Sequence, residues 1–235
     1  MDMSSILIRA CEKGDLAKVK SLVKQGVDIH KDDERALRSV IQGGYLNIVK
    51  YLIRKGADVH THDDYPLKMA ATEGHLDIVK HLIRKGADIK QYGGSALIRA
   101  ADYGHLDVVK YLSGKGVDIH ADGDAALRYA AESGHLEVVK YLISKGANIH
   151  AGNNAALKCA VRCKKLNIVR YLISKGADVK EVDYKELVLY KDRKLVYFLW
   201  NRLPVKDILP FLTSDSSRLR KAVKEYLERR GYEGT

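Results

Sequence analysis

The sequence predicts an all-α fold, a solenoid of short paired helices, and three observations carry that prediction. Gly26, Gly56, Gly86, Gly116, Gly146 and Gly176 fall 30 residues apart, six copies with no insertion or deletion, and a fixed period of this size marks a repeat architecture. Within each copy the apolar residues recur at helical spacing. The apolar content is 46% with only 7% aromatic residues, and its Leu, Ile, Val and Ala suit close helix–helix packing better than a β-sandwich.

The elements follow in order. A first helix through Cys11 starts from Ser4 or Ser5 as N-cap, and Lys13, Lys18, Lys20 and Lys24 give repeat one the polar surface of an N-terminal cap. Acidic Asp2 and an apolar run confined to Ile6, Leu7 and Ile8 argue against a secretory signal. The fifth copy serves as the template. Its first helix carries Leu127, Ala130 and Ala131 and stops at Gly134; its second carries Leu136, Val139, Leu142 and Ile143 and stops at Lys145-Gly146. A glycine just past the last turn is a left-handed helix stop. Asp77, Asp107 or Glu137 opens a second helix and Lys85, Lys115 or Lys145 closes it, both in accord with the helix dipole. One helix pair cannot bury its apolar face alone, so stacked neighbours must supply the stability.

These residues resemble the ankyrin repeat. The family pattern T-P-L-H-x-A-A, G-H-L and G-A-D is recognisable in Tyr65-Pro66-Leu67-Lys68-Met69-Ala70-Ala71, Gly74-His75-Leu76 and Gly86-Ala87-Asp88-Ile89, and the resemblance covers roughly residues 4–180. The style of the short repeats is similar to the large ankyrin families of giant DNA viruses. Two departures stand out. The period is 30 where ankyrin repeats have about 33, which implies a shortened loop with little β-structure. The family's helix-start Thr gives way to Arg35, Tyr65, Ser95, Ala125 and Ala155, and its His to Arg38, Lys68, Ile98, Arg128 and Lys158. The caps and inter-repeat hydrogen bonds usual in the family are therefore in question.

Residues 1–180 form six repeats, and residues 181–235 form a degenerate repeat and a helical cap packed with them as one continuous unit. Leu187 lies 30 residues after Leu157, so a seventh helix pair is expected from Asp183 to Leu203. A last helix is expected from a Ser214/Asp215 cap through Leu219, Val223 and Leu227 to Gly231. Terminal repeats shield the last apolar interface. A second reading of this segment is an F-box-like element that recruits a ubiquitin ligase, on the loose pattern Leu203-Pro204, Ile208-Leu209, Phe211-Leu212 and Leu219.

No stretch approaches the roughly 18 apolar residues of a membrane span. Cys11, Cys159 and Cys163 are an odd count without framework spacing, which favours a reducing compartment and hence the cytoplasm, the host-cell cytoplasm for a viral protein. His30, His60, His120 and His150 recur once per repeat, as do His75, His105 and His135. Such columns belong to the fold rather than to a metal, because stacked helices stand about 8–10 Å apart and two nitrogens on one zinc must lie within about 4 Å. His60 and His62 have no evident third ligand. Gly114-Lys115-Gly116 lacks the loop and hydroxyl of a phosphate-binding motif, and no nucleophile–base constellation occurs outside the repeated columns. The expectation is a non-enzymatic chain with no cofactor, metal or small-molecule substrate.

Columns that vary between copies are free to recognise a partner. They are the exposed end of the first helix and the loop before it, which line the concave groove of ankyrin proteins. The candidates there are Asp33, Gln42, His62, Asp63, Tyr65, Thr72, Glu73, Tyr92, Asp102, Tyr103, Asp122, Tyr129, Glu132, Ser133, Asn153 and Arg162, with Tyr65, Tyr92, Tyr103 and Tyr129 as anchors. The formal charge of +11 invites nucleic acid. However, Lys20, Lys50, Lys80, Lys110, Lys140 and Arg170 form one column on the second helix and Lys55, Lys85, Lys115, Lys145 and Lys175 another, on the convex side behind an acidic groove. A protein partner is therefore expected, with nucleic acid on the convex lysines as the alternative.

Overall fold

A computed structural model of the protein describes residues 2–184 and 193–231. It divides into two compact units, one of the chain through Ala130 with Glu137–Ala147, the other of Ala131–Leu136 and the chain from Asn148 onward. The repeats supply α1 (Met3–Glu12) and α2 (Leu16–Lys24), α3 (Lys31–Gln42) and α4 (Leu46–Arg54), and α5 (Thr61–Thr72) and α6 (Leu76–Arg84). They continue with α7 (Gly93–Asp102) and α8 (Leu106–Gly114), α9 (Ala121–Ser133) and α10 (Leu136–Ser144), and α11 (Ala151–Arg162) and α12 (Leu166–Ser174). No strand occurs among the described residues, in keeping with the short period. In the first unit α1, α3, α5 and α7 pack successively in one layer, and α2, α4, α6 and α8 in another.

The repeated columns are the core. Val19, Val49, Val79, Val109, Val139 and Val169 are each 0% exposed. The leucine three residues later, from Leu22 to Leu172, is equally buried. Burying one such side chain stabilises by about 1.5–3 kcal/mol, and each column is shared with the next copy. In α10 the buried positions are Val138, Val139 and Leu142, so the expected stripe through Leu136 and Ile143 is displaced. Those two are only half-buried, because Leu136 occupies the first position of a nine-residue helix, where the turn is open to solvent. The first helix also starts two or three residues earlier than expected. Asp2, not Ser4 or Ser5, caps it by accepting the Ser4 amide, and Ser4 is buried.

The question over inter-repeat hydrogen bonds has a specific answer. His75 Nε2 reaches the Gln42 carbonyl at 3.3 Å and His105 Nε2 the Thr72 carbonyl at 2.8 Å. The ring of His105 lies against Gly74, whose φ is +76°, and a Cβ there would clash with its Nδ1. Each of these histidines thus ties its second helix to the carbonyl end of the preceding first helix.

The shortened loop is closed by a device the period does not reveal. Four of the five first helices after α1 open with one left-handed turn. His62, Asp63 and Asp64 have φ of 49°, 59° and 54°, and the same turn recurs at 32–34, 122–124 and 152–154. Left-handed turns cost L-residues roughly 1–2 kcal/mol each, least for Asn and Asp. A side-chain clamp offsets that cost. His60 Nδ1 bonds Asp64 Oδ1 at 2.8 Å, His120 bonds Asp124 at 3.1 Å and His150 bonds Asn154 at 3.1 Å; His30 pairs with Glu34 in the same way. The free oxygen of Asp64 accepts the Asp88 amide, and Asn154 accepts that of Asp178 at 2.9 Å. The fourth repeat proves the rule. Lys90 and Gly94 stand where the others have His and an Asp, Glu or Asn, the clamp cannot form, and α7 opens right-handed despite its two glycines.

Beyond α12 the second unit has a 3₁₀ turn at Val179–Glu181, α13 (Arg193–Trp200), α14 (Val205–Ile208), a 3₁₀ turn at Leu209–Thr213 and α15 (Ser217–Arg229). Leu187, on which the seventh first helix was anchored, lies outside the described residues. Ser216 caps α15 by accepting the Leu219 amide at 3.3 Å, while Ser214 accepts the Ser216 amide, so the cap sits just beyond the Ser214/Asp215 pair expected. Trp200 is wholly buried, with ring centroids of Tyr226 at 5.2 Å, Tyr184 and Tyr197 at 6.0 Å and Phe211 at 6.4 Å. Leu203, Ile208 and Leu219 are buried too, so three positions of the F-box-like pattern point into the unit's own core.

Candidate functional site

The variable columns converge on the first-helix layer of the first unit. Alternate turns of each first helix face the core through its small residues (Ala70 and Ala71 are both 0% exposed), which leaves the intervening positions uncovered. Tyr65, Lys68, Met69, Thr72 and Glu73 of α5 line one depression of about 320 Å³ with Gln42 of α3 and Arg99 and Tyr103 of α7. Five of the predicted residues therefore meet in one place. Tyr65 is 41% and Tyr103 54% exposed, two of the few large apolar side chains left uncovered.

Beside it lies a second depression of about 360 Å³. It is lined by Lys68, Ser95, Ile98, Arg99, Asp102, Asp122, Ala125, Arg128 and Tyr129. Asp102 and Tyr129 line this cleft half-buried and Asp122 lies exposed. The Arg128 guanidinium sits 4.3 Å over the Tyr129 ring, where the face of an aromatic ring attracts a cation.

The loop-side candidates are engaged with one another. Tyr92 donates its hydroxyl to Asp63 Oδ1 at 3.0 Å, which holds its phenol above the ordinary range, and Lys68 Nζ lies 5.1 Å over its ring. His62 Nε2 lies 3.6 Å from Asp33 Oδ2, both well exposed. In the second unit Arg162 bonds Glu132 at 2.9 Å, and Ser133 lies on the same helix as Glu132. Asn153 is exposed in its left-handed turn. Cys159 is buried beside Arg162, at 3.7 Å, whereas Cys163 is half-buried. Cys11 is buried, and desolvation pushes its thiol up to about 12.

The charge of this face differs from the acidic expectation. The acids occupy the loops and helix ends, but Lys68, Arg99 and Arg128 line the floor between them. Their role was obscured because each stands in a different copy of the repeat.

The second-helix lysines have a structural occupation that their spacing alone conceals. Lys80 lies 5.4 Å over the ring of Tyr111 in the next repeat, and Lys110 lies 5.8 Å over that of Tyr141. Lys115 and Lys145 cover the same two rings at 5.7 Å from within their own repeats. Two cations thus lie near each of these tyrosine rings, and Lys80 and Lys110 tie α6 to α8 and α8 to α10. His81 takes the tyrosine position in the third repeat and is buried, with no partner for Nε2 among the described residues. Desolvation first, then the charges of Arg84, Lys50 and Lys85, lower its pKa. The unfolded chain therefore binds the proton more readily, and stability falls as pH drops below about 6.5. His81→Tyr is expected to flatten the decline of Tm between pH 8 and 5; parallel melting curves for both chains would refute this.

Among the described residues no three His, Cys, Asp or Glu side chains gather as a metal would require. No described helix is long and apolar enough to cross a membrane. The family model for ankyrin repeats (3 copies) matches residues 2–63, 40–122 and 97–183. No curated protein matches the chain.

Proposed function

Because the chain belongs to the ankyrin repeat family, whose repeats are generally protein–protein interaction modules, we propose that it is a non-enzymatic scaffold gripping a protein partner through the first-helix face of its first unit. The observation that carries this reading is the exposure of Tyr65 and Tyr103 side by side in one depression with Gln42, Thr72 and Glu73. Tyrosine brings a large rigid contact area at low rotamer cost and is enriched among residues that dominate binding energy. Tyr92 and Tyr129 serve this face by fixing Asp63 and Arg128 rather than as free anchors. The place of action in this reading is the cytoplasm, where three cysteines outside any disulfide suit a reducing medium.

The test is a quantitative pull-down with the full chain and a Tyr65→Ala/Tyr103→Ala variant, whose fold is verified by circular dichroism. Specific partners should fall by about tenfold or more, as the loss of one hot-spot residue alone costs about 2 kcal/mol. Equal partner recovery by both proteins would remove the face assignment.

A further inference from the structure

The two adjoining depressions differ in chemistry, and that difference defines a ligand. Column by column, the first helices present Arg38, Lys68, Ile98, Arg128 and Lys158. Only in the fourth repeat is the residue apolar, so Ile98 forms a floor flanked by a cation from the repeat before and one from the repeat after. Lys68, Ile98 and Arg128 line the same depression, together with Arg99. Lys68 and Arg128 are half-buried, and among the described residues neither has a carboxylate within salt-bridge distance. They are held instead over the rings of Tyr92 and Tyr129, which positions them without neutralising them. Arg99 is 3.8 Å from Asp102, and Asp122 lies exposed on the cleft wall. Three cations thus face two carboxylates, one of which is already engaged. The neighbouring depression, centred one repeat back, shares Lys68 and Arg99 but adds Gln42, Thr72 and Glu73, half-buried Met69 and the uncovered rings of Tyr65 and Tyr103, which suit an apolar side chain.

The geometry points to an extended acidic peptide as the occupant, with an Asp or Glu carboxylate between Lys68 and Arg128 over Ile98, and a bulky apolar residue between Tyr65 and Tyr103. This rests on the first-helix face being the binding face and names what that face reads. Stacked helices stand about 8–10 Å apart and an extended chain advances about 3.3 Å per residue. One repeat therefore corresponds to about three peptide residues, and the acid and the apolar residue stand three apart. Half-buried cations make charge-assisted hydrogen bonds to carboxylates that are roughly twice as strong as neutral ones, so the acid is a determinant of affinity as well as of register.

The probe is a phage-displayed library of random twelve-residue peptides panned against the full chain, a Lys68→Glu/Arg128→Glu variant and the Tyr65→Ala/Tyr103→Ala variant, all shown to be folded. The expected result is enrichment of peptides with an acid three residues from a bulky apolar residue. Synthetic copies should lose about tenfold or more in affinity on Lys68→Glu/Arg128→Glu, and those with lysine in place of the acid should bind that variant better than the parent. Enriched peptides without this spacing that still depend on Tyr65 and Tyr103 would overturn the acidic reading and leave the face intact. Peptides indifferent to both variants, or no enrichment, would overturn both.

Discussion

Asp64→Ala is expected to destabilise the first unit by about 3 kcal/mol, while Asp64→Asn costs about 1 kcal/mol or less. Asp64 is 1% exposed and accepts two hydrogen bonds, from His60 Nδ1 and from the Asp88 amide of the following loop. Alanine removes the acceptor of both hydrogen bonds, each of which contributes about 1 kcal/mol. It also places a residue without a local polar side chain at φ 54°, a further cost of roughly 1 kcal/mol. Asparagine keeps an acceptor oxygen and tolerates the left-handed region. The protein already contains this substitution: Asn154 bonds His150 and the Asp178 amide from the equivalent position. Asp64→Gly separates the two terms, since it relieves the backbone and loses the hydrogen bonds. Urea denaturation followed by circular dichroism should rank the variants Asn, then Gly, then Ala. Equal midpoints for Ala and Asn would show that the clamp contributes nothing.

Trp200→Ala is expected to cost the second unit about 3–5 kcal/mol, the range for removing a large buried aromatic side chain. No part of Trp200 is accessible, and it stands at the centre of four rings contributed from four segments: Tyr184, Tyr197, Phe211 and Tyr226. The cavity cannot close readily, because the surrounding hydroxyls are themselves placed. Tyr184 donates to the Val179 carbonyl at 2.8 Å and Tyr226 to Asn201 at 3.0 Å. Trp200→Phe should cost well under half as much. Hydrogen exchange is the informative readout: α13 and α15 amides should lose protection together in the alanine variant, while α5 to α8 keep theirs. Retained protection in α15 would mean that the aromatic cluster does not hold this segment.

How much of this was legible beforehand depends on the range of the interaction. The 30-residue register, the paired helices, the Val and Leu core columns and the glycine stops all follow from the sequence, because helical periodicity and stop signals act within a dozen residues. Gly146 has φ 98° as its position after Lys145 requires. Tyr65 and Tyr103 were also legible as candidates, since they interrupt columns that otherwise vary among small and polar residues. The histidine of each loop was readable as structural, but its partner was not singled out. His60 and Asp64 stand four positions apart, and nothing in that spacing shows that the intervening turn is left-handed. Asp lowers the cost of the left-handed turn without removing it, so the bond made across the turn decides the hand, and Lys90 with Gly94 shows the outcome without that bond.

The cation-lined floor needed the tertiary structure for a related reason. Lys68, Arg99 and Arg128 belong to three copies and to two different columns, so a column-by-column comparison weighs them separately and favours the acids of the loops. Packing of the first helices against one another brings them around Ile98. In the same way the lysines of the second helices read as solvation until stacking laid Lys80 and Lys110 over a tyrosine one repeat on. The sequence by itself determined the repeat, its helices and its buried columns, because those arise from contacts near in the chain and copied in every unit. Only the tertiary structure decided the hand of the loops and the charge of the binding face, because both depend on groups 4 to 60 residues apart meeting in space.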